Sequence, residues 1–279
     1  VRPPQPPYNS NLIVLDPADG GSDTGANLGS ASEEKDFNLA FANRLKALLE
    51  ARQFTVTLTH ASADENPTPD QRAETANRAR PVACLLLHAT ASGRGVHLFT
   101  SALTAPFFTG DPAPDTAIMP WDSAQAPSLP RSLQLANELS TALNGLRVPL
   151  VVTRVSVRPI DSLTCAAVAV ELAPAGPETT LTDNTYQQKI AESLVTALGY
   201  WREHAKAQIA AAQAAALAAN PAAPAKPAAP AKPKPRPKPK PIVAPDESPL
   251  APAAAPRKPA PIERRPPAPP ANPPAGAKR

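Results

Sequence analysis

The 279-residue chain has only two cysteines, Cys84 and Cys165. Two thiols cannot build a zinc knuckle on their own, and neither belongs to a C-x-x-C pair. They read either as two buried thiols or as one disulfide made in an oxidising compartment. The chain also lacks any run of the roughly 18 to 20 apolar residues that a membrane-spanning helix needs. Its opening, VRPPQPPYNS, has no charged segment followed by an apolar one, so no signal peptide is expected there. Such a Pro-rich start suits a processed, secreted chain. Large apolar residues are almost missing between Pro221 and Arg279, a segment that holds 21 of the 39 prolines. It has little to bury that would offset the entropy of ordering it, and reads as a disordered tail.

That tail also decides what the net charge means. It carries 12 basic and 3 acidic residues, a surplus of nine; since the whole chain is +4, residues 1–220 stand at −5. The high pI therefore belongs to the tail, and no nucleic-acid partner is inferred from it.

What is present alternates in the manner of an α/β fold. NLIVLD (11–16) is a short apolar run closed by Asp-Pro, a buried strand entering a turn. SEEKDFNLAFANRLKALLEARQF (32–54) puts Phe37, Leu45, Leu48 and Leu49 at helical spacing, and Glu33, Glu34 and Asp36 suit its N-terminus. FTVTLTH (54–60), VACLLLHA (82–89), GVHLFTS (95–101), VPLVVTRVSV (148–157) and CAAVAVELA (165–173) read as strands. DQRAETANRAR (70–80) and SLQLANELSTALNGL (132–146) read as helices, and residues 102–130 as a long loop or lid. A last helix begins near Asn184; its Ala-rich second half has little to bury and should project.

The expected fold is thus α/β, a mostly parallel twisted sheet covered by helices on both faces, followed by a projecting Ala-rich helix and a Pro/Ala/Lys tail. The expected divisions are a flexible segment 1–10, an α/β domain 11–200, a helical extension 201–219 and the tail 220–279.

Ligands of open α/β sheets collect at the carboxyl ends of strands. Asp16, Asp19, His60, His88 and Glu171 all fall at or just after such ends. IVLDPADGGSDTGA (13–26) gathers three aspartates and three glycines after one strand, more than a plain turn requires. Gly20 and Gly21 are expected to allow backbone angles closed to other residues, bringing Asp19 near a metal. Asp16 reads as a turn cap or as a group fixing a ligand. Glu171 closes the small-residue run CAAVAVE at the edge of a core, where a carboxylate suits general-base work. His60, at the end of the second strand, reads as a solvent-facing loop residue or as one lying near the site, His97 as a structural or surface residue of a strand, and His204 as exposed.

These residues resemble the zinc-dependent N-acetylmuramoyl-L-alanine amidases, which cleave the peptide stems of bacterial cell walls. In that family the first strand ends in D-P-G-H-G-G, a G-A follows, and E-K-D opens a long helix. Here the chain reads DPADGGSDTGA and EEKDFNLAFANRLKALLEARQFTVTLT. RAETAN (Arg72 to Asn77), CLLLHAT, GRGVHLF, AVELA and YQQKIAESLVTAL continue the likeness in order over roughly residues 11–200. The resemblance implies zinc ligands Glu34 and His88, with Asp19 where the family has its first histidine. It implies Glu171 acting on the attacking water, and Asp16, Gly20, Gly21, Arg72 and Asn77 in supporting positions.

Catalytic zinc needs three protein ligands and one open position. Aspartate reaches less far than histidine and adds negative charge, so water and carbonyl would be polarised less and the nucleophile would form at higher pH. Metal preference would drift toward manganese or iron. The implied function is a monomeric peptidoglycan hydrolase of the periplasm or cell envelope, cutting the amide between N-acetylmuramic acid and L-alanine. The other implied reading is a weak or silent relative that binds cell-wall fragments or regulates a true amidase. The basic tail is expected to be a solubilising linker or a spacer with affinity for anionic wall polymers or membrane surfaces.

Overall fold

The computed structural model describes residues 8–29, 32–104 and 120–219. Six strands form one sheet: β1 (Asn9–Pro17), β2 (Thr55–Leu58), β3 (Pro81–Ala89), β4 (Val96–Ser101), β5 (Leu150–Val155) and β6 (Ala167–Leu172). Their order is β2-β1-β3-β6-β4-β5. Every neighbouring pair is parallel except β4, which runs against β6. The helices are α1 (Glu34–Ala51), α2 (Pro69–Ala79), α3 (Leu129–Asn144) and α4 (Asn184–Ala219).

Strand side chains alternate between faces, and here the two faces differ in depth. On one, Ile13, Leu15, Leu85, Leu87, Val168 and Val170 pack against α1, α3 and α4 through Phe41, Leu45, Leu135, Leu139, Ile190 and Leu194. Each such side chain contributes about 1.5–3 kcal/mol when fully buried, so this face holds most of the core. On the other, the small residues Cys84, Ala167 and Ala169 join Val14 and Leu86 beneath Ala73 and Ala76 of α2, with Ile160 and Leu163. Burial on both faces is why β1 and β3 read as unbroken apolar runs. The thinner cover on the second face leaves the next residues along β3 and β6, His88 and Glu171, only partly buried.

α2 begins at Pro69 because Thr68 and Gln71 close a reciprocal cap around it. Cys84 and Cys165 form a disulfide, with Cα atoms 6.4 Å apart, which joins β3 to the approach of β6. Of the two readings left open by the sequence, the bonded one holds. Replacing Cys84→Ser is expected to cost about 2–4 kcal/mol, because the bridge closes a long loop in the unfolded chain. Urea unfolding of the oxidised protein checks this.

Several boundaries differ from expectation for local reasons. Tyr8 is buried and β1 starts at Asn9, so ordered chain begins inside the segment read as flexible. Two short 3-10 turns, Trp121–Ser123 and Ala126–Ser128, lead straight into α3 at Leu129. Pro130 sits in the first turn of that helix, where its missing N–H costs nothing. Trp201 is buried and donates to the Val82 carbonyl at 3.1 Å. Packing of α4 extends through the buried Ala205 to the partly buried Ile209, beyond which most of its described side chains are exposed. The expected lid lies largely outside the described residues, as does the tail.

Candidate metal centre

Three chain segments meet at the carboxyl end of the parallel strands. Asp19 follows β1, Glu34 opens α1, and His88 is the penultimate residue of β3. One ligand atom from each lies within 4.8 Å of the others. Asp19 has φ +67°, a left-handed conformation that most side chains avoid and aspartate tolerates. The next residue could not be other than glycine without moving the loop: at Gly20, φ is +146° and a Cβ would stand 2.2 Å from the Glu65 carbonyl oxygen. Gly21, also at positive φ, donates to the Ala63 carbonyl at 2.7 Å. Both glycines sit where the sequence placed them, in the turn that carries Asp19.

Glu34 is the best-held member. Its Oε1 accepts from the Ala89 N–H at 3.0 Å and from Asn38 Nδ2 at 3.3 Å, and faces His88 Nδ1 at 3.3 Å. Its Oε2 accepts from the Ala26 N–H at 2.7 Å. Burial alone would raise this carboxyl, but the bonds from His88, Ala26 and Ala89 more than reverse that and bring it down to about 2. Asp19 goes the other way. Burial, then the Glu34 charge, push it up to about 6 against the pull of His88. For His88 burial favours the neutral ring, yet the Glu34 hydrogen bond and the two carboxylate charges outweigh it and raise its pKa. Asp19 Oδ2 is buried with no hydrogen-bond partner among the described residues. A buried anionic oxygen without a donor is costly, and a divalent cation between the three side chains would satisfy it.

The sequence reading gave no role to Gly25, although Gly25-Ala26 was among the matching motifs. Its φ is +65°, and a Cβ there would stand 2.5 Å from Asp19 Oδ2 and 2.7 Å from Glu34 Oε2. The loop therefore closes onto the two carboxylates, and this closeness lets the Ala26 N–H reach Glu34. Gly25→Ala is expected to cost about 1–3 kcal/mol from backbone strain and overpacking. It should also weaken metal binding, which thermal melting with and without zinc would reveal.

Supporting residues divide into those drawn to this cluster and those held elsewhere. Asp16 Oδ1 accepts from Thr59 Oγ1 at 2.5 Å and pairs with Arg72 Nη1 at 3.4 Å. Arg72 also donates to the carbonyls of Pro17 at 3.1 Å and Asp19 at 2.8 Å, so it clamps the turn bearing Asp19. Asn77 does not support the cluster. It lies at the other end of α2, donating to the Ser162 carbonyl and accepting from the Thr164 N–H, because five residues along a helix carry it away from Arg72. His60 is not solvent-facing but 5% exposed, packed beside Gly20 with Nδ1 3.3 Å from Thr59 Oγ1. Burial, then the Arg72 charge, lower its pKa. His204 is exposed beside Glu138.

Glu171 stands outside the three-residue group but beside it. It is level with His88 across the β3–β6 pair and with His97 across the β6–β4 pair. The three form a row continuing the face of Cys84, Leu86 and Ala169. His97 Nδ1 lies 2.6 Å from Glu171 Oε1, a partnership that alternation along one strand could not announce.

Two carboxylates and an imidazole converging at strand ends, with a further carboxylate alongside, define a candidate metal-dependent hydrolase. A sequence profile of the N-acetylmuramoyl-L-alanine amidase family matches residues 13–200, and the chain belongs to that family. A probable cell wall amidase, LytH of Staphylococcus saprophyticus, is 46% identical over 73 residues, 25% of each chain, so the likeness spans a quarter of that relative's length. The catalytic domain of CwlV, an amidase of Bacillus (Paenibacillus) polymyxa var. colistinus, has a TM-score of 0.54 at 20% identity, over 69% of this chain and 98% of its own. Ami1 from Mycobacterium smegmatis gives 0.56 at 18%, over 72% and 100%. At such identities the likeness is one of fold.

Proposed function

We propose that this chain hydrolyses the amide between N-acetylmuramic acid and L-alanine in peptidoglycan, as a zinc-dependent enzyme of the periplasm or cell surface. The convergence of Asp19, Glu34 and His88 around the Asp19 oxygen that has no partner among the described residues carries this reading. Zinc held by these residues would supply Lewis acidity toward the scissile carbonyl and toward water. Glu171 takes the proton of the attacking water and passes it to the leaving amine nitrogen as the C–N bond breaks. Arg72 and Asp16 keep the Asp19 turn in place. The Cys84–Cys165 bond supports an oxidising compartment. We assign residues 11–200 to the catalytic domain, 201–219 to its helical extension and 220–279 to a basic tail that attracts anionic wall or membrane surfaces; the protein acts as a monomer.

A second reading has one observation in its favour: Asp19 stands where the family resemblance has histidine. In that reading the fold binds wall fragments or regulates a true amidase without turnover. Incubating the purified, zinc-loaded protein with a muramyl peptide and analysing the products by mass spectrometry separates the two. Release of a free L-alanine amino terminus supports the hydrolase; wall binding without release supports the silent relative.

Proton competition gives a further expectation. The raised pKa of Asp19 stabilises the metal-free fold below the ordinary carboxylate range, and this is lost as pH rises through about 6. Glu34 does the reverse, stabilising above its ordinary pKa, with the contribution lost as pH falls toward about 2. Zinc must displace the His88 proton, whose pKa is raised, and below about 6 the Asp19 proton as well, so its affinity should fall about tenfold per pH unit just above about 6 and about a hundredfold per unit below it. Calorimetric titration across this range checks the slope; a profile that does not steepen below about 6 would exclude Asp19 as a ligand.

A further inference from the structure

We propose that His97 is the positioning residue for Glu171, a role that rests on the amidase reading above. The antiparallel register sets His97 opposite Glu171, and His97 Nδ1 lies 2.6 Å from Glu171 Oε1. The imidazole is itself held. Phe99 meets it edge-on at 6.2 Å between ring centres, and Gly93 backs its far edge, where a Cβ would stand 3.0 Å from His97 Cε1. Side-chain exposure is 16% for His97 and 26% for Glu171, so the pair is partly withdrawn from water while one edge stays open.

A carboxylate accepts, so the shared proton sits on His97 Nδ1. With Oε1 taken by this bond, Glu171 Oε2 has no hydrogen-bond partner among the described residues and is the oxygen free to meet water. His97 fixes the plane of the carboxylate of a residue that lies level with His88 across the other strand pair. In the reaction the water proton goes to Oε2 and then to the amine nitrogen; His97 keeps its own proton throughout. The ring orients the base and does not exchange protons with substrate.

Three measurements test this. Removing such an orienting partner typically costs 10–100-fold, so His97→Phe, which keeps the ring shape and loses the donor, should lower kcat about tenfold or more with KM and zinc affinity unchanged. His97→Gln restores an N–H donor and should recover most of the loss. Independently of turnover, 15N spectra of the zinc-free protein should show His97 protonated at Nδ1, and Glu171→Gln should alter that resonance. Wild-type kcat in His97→Phe, or a proton on Nε2 in place of Nδ1, overturns the proposal. If the wild-type protein hydrolyses nothing, the amidase reading fails, and the nitrogen spectrum still decides whether His97 orients Glu171.

Discussion

Glu171→Gln should abolish most hydrolysis, lowering kcat by about 10²–10⁴-fold, the usual worth of a positioned general base. Glutamine has the same shape, and its amide oxygen can still accept from His97 Nδ1, so the β6–β4 contact survives the change. What is lost is the ability to take a proton. Glu171 lies outside the three-residue cluster, so zinc affinity should be unchanged, as should the melting temperature. Parallel measurement of muramyl-peptide turnover and zinc binding resolves the two. Wild-type turnover in the variant would remove Glu171 from the chemistry, whereas loss of both turnover and zinc would make it a ligand.

Asp19→His should strengthen zinc binding and raise turnover by roughly 10–100-fold, the scale on which changes around a bound metal act. Three features of the site lead there. The substitution removes a negative charge beside Glu34, the interaction that helps push Asp19 up to about 6. It leaves more positive charge on the cation, which then polarises water and carbonyl more. Histidine, like aspartate, is among the residues found at positive φ, so the backbone at +67° accepts it. The opposing effect is steric, since Asp19 Oδ2 already lies close to Gly25 and an imidazole is longer. If the variant binds zinc tightly and still turns nothing over, the ligand is not the missing element and the silent-relative reading prevails.

Much of this was legible in the chain because it depends on local pattern. Strand ends, the long α1 with its acidic start and the position of His88 follow from apolar runs and the residues that close them. Asp19 and Glu34 were legible as partners only through the resemblance, since no periodicity links a loop residue to a helix start. Other parts depend on contacts across the sheet. His60 looked like a loop residue because its burial comes from the Gly20 turn packing on it, which sequence neighbours do not reveal. Asn77 was misplaced because a motif shared with a family carries no direction: Arg72 and Asn77 lie in one helix, yet only its first turn reaches the site. His97 was missed for a topological reason, since its partner is 74 residues away and level with it only in one register.

The reversal of β4 sets how tolerant the molecule is of changes in length. Were all six strands aligned, each would offer the reactive rim only its final residues. β4 instead offers its opening pair, Val96 and His97. Insertions into the Thr90–Gly95 connection would therefore disturb the reactive rim at once. Residues added after Ser101 would leave the sheet about 13 Å away along the strand, at the opposite rim. Lengthening there is the change this architecture absorbs most easily.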